Sequence, residues 1–183
     1  MPTDKTDPNT DPTTFSEEEL AMVEAEAHLS ESSSIIKSYV IAAMGLGLVP
    51  IPVVDVVGLM AIQLKLVHGL ANHYDVKFSE HLGKSLITSL IGGALPISAT
   101  MAAASLVKAI PGVGSLIGGA SVAVLGGAVT YGVGRVFMLH FESGGTLLDF
   151  NPASMRELFQ SEMEEGKTVA EDLKNDNKTQ PGA

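Results

Sequence analysis

Between Lys84 and Arg135 the chain carries one charged residue, Lys108, in a run of Ala, Gly, Leu, Ile, Val and Ser. Few environments other than lipid or a protein interior tolerate such a stretch. Ile110-Pro111-Gly112-Val113-Gly114 breaks it midway, because proline ends a helix and glycine permits a reversal. Each arm then offers more than 20 residues free of charge except beside the apex. At about 1.5 Å per residue, such an arm reaches across a hydrocarbon core of roughly 30 Å. The expectation is a membrane-inserted helical hairpin. Its competitor is a fully buried hairpin in a soluble bundle, which would need more amphipathic chain around it than 183 residues with polar ends supply.

A second, shorter apolar pair precedes it. Ile35 to Val49 is apolar, the chain turns at Pro50-Ile51-Pro52, and it resumes from Val53 to about Tyr74 with Asp55, Gln63 and Lys65 inside. That polarity suits a re-entrant or interface-embedded hairpin better than two full spans. Asp55 is open to two readings: a carboxylate on an ion path, or a residue near the start of a helix opened by Pro52, where free amides and the helix dipole favour it.

The chain divides into an acidic, disordered N-terminus (1–14), a cytoplasmic helix (15–31), the first hairpin (32–76), the glycine-rich transmembrane hairpin (77–142), an amphipathic helix (146–166) and a disordered tail (167–183). Ser16 with Glu19 forms a capping box that starts the cytoplasmic helix, and Phe15 and Leu20 hold the staple positions. Its narrow apolar stripe of Leu20, Val23 and Ala27 is expected to dock on the same chain. Ser30 and Ser32 to Ser34 are expected to break it. Near the other end, Asn151-Pro152 opens a helix whose apolar face is Met155, Leu158, Phe159 and Met163, ending near Gly166. The fold class is therefore all-α: two membrane-inserted hairpins flanked by amphipathic cytoplasmic helices and disordered ends.

Charge supports a side for each part. Residues 1–34 hold nine acids and one base, 35–141 three acids and six bases, and 142–183 nine acids and four bases. If both hairpins enter from one face, Lys37, Lys65, Lys77, Lys84 and Arg135 fall at the entry face, with both termini cytoplasmic by the positive-inside rule. The acidic ends repel phosphates, so nucleic acid is not a partner. Cysteine is absent, which removes disulfides and thiolate metal sites.

In the last arm Ser115, Gly119, Ala123 and Gly127 recur every four residues and lay a groove of small side chains along one helix face. Close packing along such grooves drives association in lipid. The groove either meets the row begun by Ser85, Ser89 and Gly93 in the opposite arm or joins subunits of a homo-oligomer.

Catalytic signals fail on inspection. Gly83-Lys84-Ser85 resembles the end of a P-loop, but Phe78 stands where the loop's first glycine is required and no apolar strand leads in. His28, His68, His73, His81 and His140 lack metal-ligand spacing, and no Gly-x-Ser-x-Gly elbow is present. No enzyme, cofactor or metal is expected.

VPIPVVD at 49–55, AIQLKLVHGLANHY at 61–74 and IPGVGSLIGGA at 110–120 together resemble the YcjF-type bacterial membrane domain of unknown function, over about residues 33–141. The resemblance implies an inner-membrane protein associated with a P-loop GTPase, which this chain would have to meet in trans. The functional expectation is a self-associating membrane scaffold, anchor or membrane-shaping protein. The alternatives are an oligomeric pore with Asp55 or Lys108 facing water, and a soluble helical interaction protein.

Overall fold

The computed structural model describes residues 16–47, 52–94 and 114–179, with the side chains of 52–56, 114–121 and 177–179 outside the description. The expected turn residues Pro50, Pro111 and Gly112, residues 1–14, expected to be disordered, and residues 180–183 of the expected tail also lie outside it. Five helices make up the described chain: α1 (Glu17–Leu46), α2 (Pro52–His73), α3 (Glu80–Ala94), α4 (Gly114–Glu142) and α5 (Arg156–Thr179). No strand occurs among the described residues.

α1 starts as its sequence dictates. The Ser16 hydroxyl accepts from the Glu19 amide at 3.2 Å and the Ser16 amide donates to the Glu19 carboxylate at 2.8 Å. Contrary to expectation, the helix then runs unbroken through the serines. Ser32 donates back to the His28 carbonyl at 2.9 Å, and Ser38 to that of Ser34 at 2.9 Å, so these hydroxyls are satisfied inside the helix. Ser32 is also fully buried and shares a 2.9 Å hydrogen bond with the Tyr74 hydroxyl, which ties α1 to the end of α2. The helix and the hairpin arm that were expected as separate elements are thus one rod. Its first turns stand clear of the bundle: Leu20, Met22 and Val23 remain 48–61% exposed.

The second half of α1 packs on α2 and α4, and α5 lies along α4 in the most extensive helix pairing of the fold. Ile36, Leu66, Ile87, Val133, Phe137 and Phe159 meet in one apolar core, each at most 1% exposed. Burying one such aromatic or aliphatic side chain stabilises by about 1.5–3 kcal/mol. Burial pushes the Tyr74 phenol above its ordinary range.

α4 reverses into α5 through a compact turn. Asp149 Oδ1 accepts from both the amide and the hydroxyl of Thr146 at 2.6 Å, which holds this exposed carboxyl below its ordinary range. His140 Nε2 lies 2.9 Å from the Thr146 carbonyl, and Phe150 stacks on Phe137 with ring centroids 4.3 Å apart. Asn151 then bonds the Ala153 amide, and α5 begins at Arg156. It does not end at Gly166. The helix continues to Thr179, so the expected tail from 167 is helical through that residue.

Candidate functional site

The seam where α4 meets α1 and α5 is lined by glycines, of which the sequence singles out Gly127 and Gly166. A side chain at Gly127 would meet the Met44 side chain at 2.8 Å and Ala170 at 3.1 Å, and one at Gly47 would meet the Ala123 backbone at 2.8 Å. Gly132 faces the Phe159 ring, Gly134 faces Ile36, and Gly166 lies against Ala128 and Tyr131. Only hydrogen at these positions lets three helix backbones approach so closely. Along the seam, Arg135 Nε donates to Glu162 at 3.0 Å and the Tyr131 hydroxyl donates to Glu165 at 2.9 Å. Arg135 and Glu162 side chains are 27% and 11% exposed, so the pair is largely withdrawn from water.

The start of α5 also holds the end of α3. Gln160 donates to the Ala94 carbonyl at 2.7 Å, one of the carbonyls a helix terminus leaves free. The Arg156 guanidinium lies over Gly93, where any Cβ would collide with it. By sequence Gly166 stands at the end of this helix, and Arg156, Gln160, Glu162 and Glu165 have no assigned part in its packing. Their only trace was the spacing of Phe159, Met163, Gly166 and Ala170, which continues the apolar face one turn past the apparent stop.

Sequence-singled residues fall into three groups. Ala123 and Gly127 are buried in this seam by α1 and α5 of the same chain, not by the row on the opposite arm, since Ser85 and Ser89 are exposed on α3. Ser115 and Gly119 lie on α4 and Asp55 lies in the first turn of α2, which opens on Pro52, but their side chains are outside the description. Gly114 is the first residue of α4. Lys37, Lys65, Lys77 and Lys84 are exposed, whereas Arg135, grouped with them as an entry-face charge, is ion-paired inside the bundle.

A cleft of ≈ 290 Å³ opens where α1, α4 and α5 meet. Lys37 and Arg135 line it opposite Asp172 and Asp176, a mixture that selects neither anions nor cations. The histidines stack on rings: His28 on His73 at 3.9 Å and His68 on Phe78 at 4.5 Å. Among the described residues no group of three His, Cys, Asp or Glu side chains could hold a metal.

One described stretch, Val122–Glu142 in α4, is long and apolar enough to cross a membrane, and 61% of its most apolar window is buried inside the bundle. The expectation of two inserted hairpins thus has a single candidate span among the described residues, and that span is the axial helix of the bundle.

These features define an all-helical bundle built around a small-residue seam. Residues 16–168 match the family described as Domain of unknown function (DUF697), and the chain belongs to that family. The match extends beyond the apolar part into the capped start of α1 and the first half of α5. The chain is similar to magnetosome membrane protein 22 of Magnetospirillum gryphiswaldense, with 42% identity over 144 residues that cover 78% of this chain and 74% of the relative. No solved structure matches.

Proposed function

We propose that this chain is a non-catalytic bacterial membrane protein whose helical bundle stands on the cytoplasmic face of the inner membrane and serves as a scaffold or membrane-shaping element. The observation that carries the reading is the 42% identity to a protein named for the magnetosome membrane. It is supported by the apolar sequence on either side of Lys108, which lacks charge as far as Lys84 and Arg135. Self-association belongs to the same reading. In this reading a second copy meets the small-residue row at Ser115 and Gly119, since Ala123 and Gly127 are taken up within the chain. A P-loop GTPase acting in trans would find its docking face on the exposed first half of α1, where Leu20, Met22 and Val23 stand among Glu17 to Glu19, Glu24 and Glu26.

The soluble-bundle alternative draws on one observation, the 61% burial of the candidate span. The pore alternative rests on Asp55 and Lys108, whose side chains lie outside the description, and no observation favours it. Carbonate extraction of membranes separates scaffold from soluble bundle: the chain is expected to stay in the pellet, and release into the supernatant would refute membrane attachment. Gly119→Leu is expected to reduce particle size without releasing the chain.

A further inference from the structure

We infer that α5 is a depth stop: docked along α4, it keeps the bundle out of the hydrocarbon, so Val122–Glu142 does not span the bilayer and the chain enters a single leaflet. This rests on the membrane reading above and adds to it how deep the chain sinks.

The first observation is what lies beside α4. Ala170 abuts Gly127, and the same helix carries Glu164, Glu165, Glu171, Asp172 and Asp176 exposed. A helix carrying five exposed carboxylates does not enter lipid, and anionic headgroups repel it. Wherever α5 is docked, water or the outer headgroup layer must be.

The second is that α5 cannot leave cheaply. Its departure would expose Phe159 and Met163, open the glycine contacts at Gly127 and Gly132, and strip Arg135 of Glu162. Arg135 lies well inside the candidate span, so insertion would carry an unpaired guanidinium into hydrocarbon.

The third is a length. Ala94 is held by Gln160 and Ala123 by Gly47, and 28 residues, 95–122, separate these two anchors. Lipid demands internally satisfied backbone, hence helix. Were this segment folded as the hairpin expected from Pro111-Gly112, its arms would be 95–110 and 113–122, 16 and 10 residues reaching about 24 and 15 Å against a hydrocarbon core of roughly 30 Å. A hairpin of that reach passes one leaflet and stops short of the far surface. It thickens one side of the bilayer more than the other, which is the geometry of a wedge.

The absence of native cysteine makes the test direct. The Gly127→Cys/Ala170→Cys full-length chain is reconstituted in sealed phosphatidylcholine vesicles and mildly oxidised. An ideal Cβ at Gly127 lies 3.1 Å from that of Ala170, within a small helix adjustment of disulfide spacing. Loss of both free thiols in the vesicle-bound protein is expected. Retention of both thiols in the vesicles, when the same protein cross-links in detergent, would overturn the inference alone; failure to bind vesicles would overturn the membrane reading with it. Single variants Asp172→Cys and Ser115→Cys, at an exposed position and at the start of α4, give a second readout independent of seam packing. With an impermeant thiol reagent on one side at a time, Asp172→Cys marks the side of α5. Ser115→Cys is expected to react from neither side or from that side. Reaction from the opposite side would show a full crossing and refute the depth stop.

Discussion

Gly166→Ala is the sharpest probe of whether α5 docks as a continuous helix. In an exposed helix interior, replacing glycine by alanine stabilises by about 0.5–1 kcal/mol, because the unfolded chain loses freedom and the helix gains a better former. Gly45 and Gly92 satisfy that condition, with nothing within 4 Å of an added Cβ. At Gly166 the same methyl would sit 2.8 Å from Tyr131 Cβ, 2.9 Å from the Ala128 carbonyl oxygen and 3.1 Å from Ala128 Cα. Carbon–carbon contacts are comfortable at about 3.5–4.0 Å. Two of these three partners are backbone atoms that cannot rotate away, so α5 itself must retreat from α4 by several tenths of an ångström. Overpacking of this kind costs about 1–3 kcal/mol. Set against the propensity gain, Gly166→Ala should be destabilising by about 0–2 kcal/mol, while Gly45→Ala and Gly92→Ala stabilise. The assay is urea denaturation followed by far-ultraviolet circular dichroism, in the mildest medium that keeps the chain monodisperse, with slopes compared to confirm an unchanged unfolding transition. Were Gly166→Ala to stabilise as much as the two reference variants, Gly166 would be a solvent-exposed residue and the seam would not exist as described.

Gln63 is 1% exposed, and its side-chain oxygen has no donor among the described residues, so Gln63→Leu should be neutral or stabilising by about 1 kcal/mol. A loss above about 2 kcal/mol in thermal melts would mean that the oxygen is hydrogen-bonded. Arg135→Met should cost about 2 kcal/mol by leaving Glu162 without its partner, and Arg135→Met/Glu162→Leu should recover most of it; a double-mutant cycle with no coupling would refute the pair. Tyr74 gives the pH dependence. Its folded-state pKa lies above the ordinary 10.0, so the folded state holds the proton more tightly and the stability from this group is complete below pH 10.0. It is lost as pH rises through the folded value, so stability should fall in alkali and Tyr74→Phe should flatten that limb. An unchanged alkaline limb in the variant would assign the effect elsewhere.

Several features needed no tertiary information, because their causes are local. The Ser16–Glu19 capping box joins residues three apart, the opening of α2 at Pro52 follows from proline's fixed φ and missing amide, and the apolar face of Phe159 and Met163 is a matter of helical period. The P-loop resemblance at Gly83 was rejected on the same ground, and Gly83 is a buried residue of α3 packed against Phe78 and Leu64. What misled was punctuation. Serine and glycine read as stops when their neighbours are unknown, yet Ser32 is held inside α1 by His28 and Tyr74, and Gly166 is needed inside α5 so that Ala128 and Tyr131 can come close.

Sequence alone determined that the chain is helical, where α1 and α2 begin, and that its centre is apolar; each follows from residues within a few positions of one another. Which surface covers that centre was decided by contacts between residues far apart in the chain. Hydrophobicity states that Val122–Glu142 must be shielded without naming the shield, and lipid and protein satisfy it equally. Part of the shield is named where Glu162 meets Arg135 and Ala170 meets Gly127, because α5 fastened there buries that face of α4 in protein.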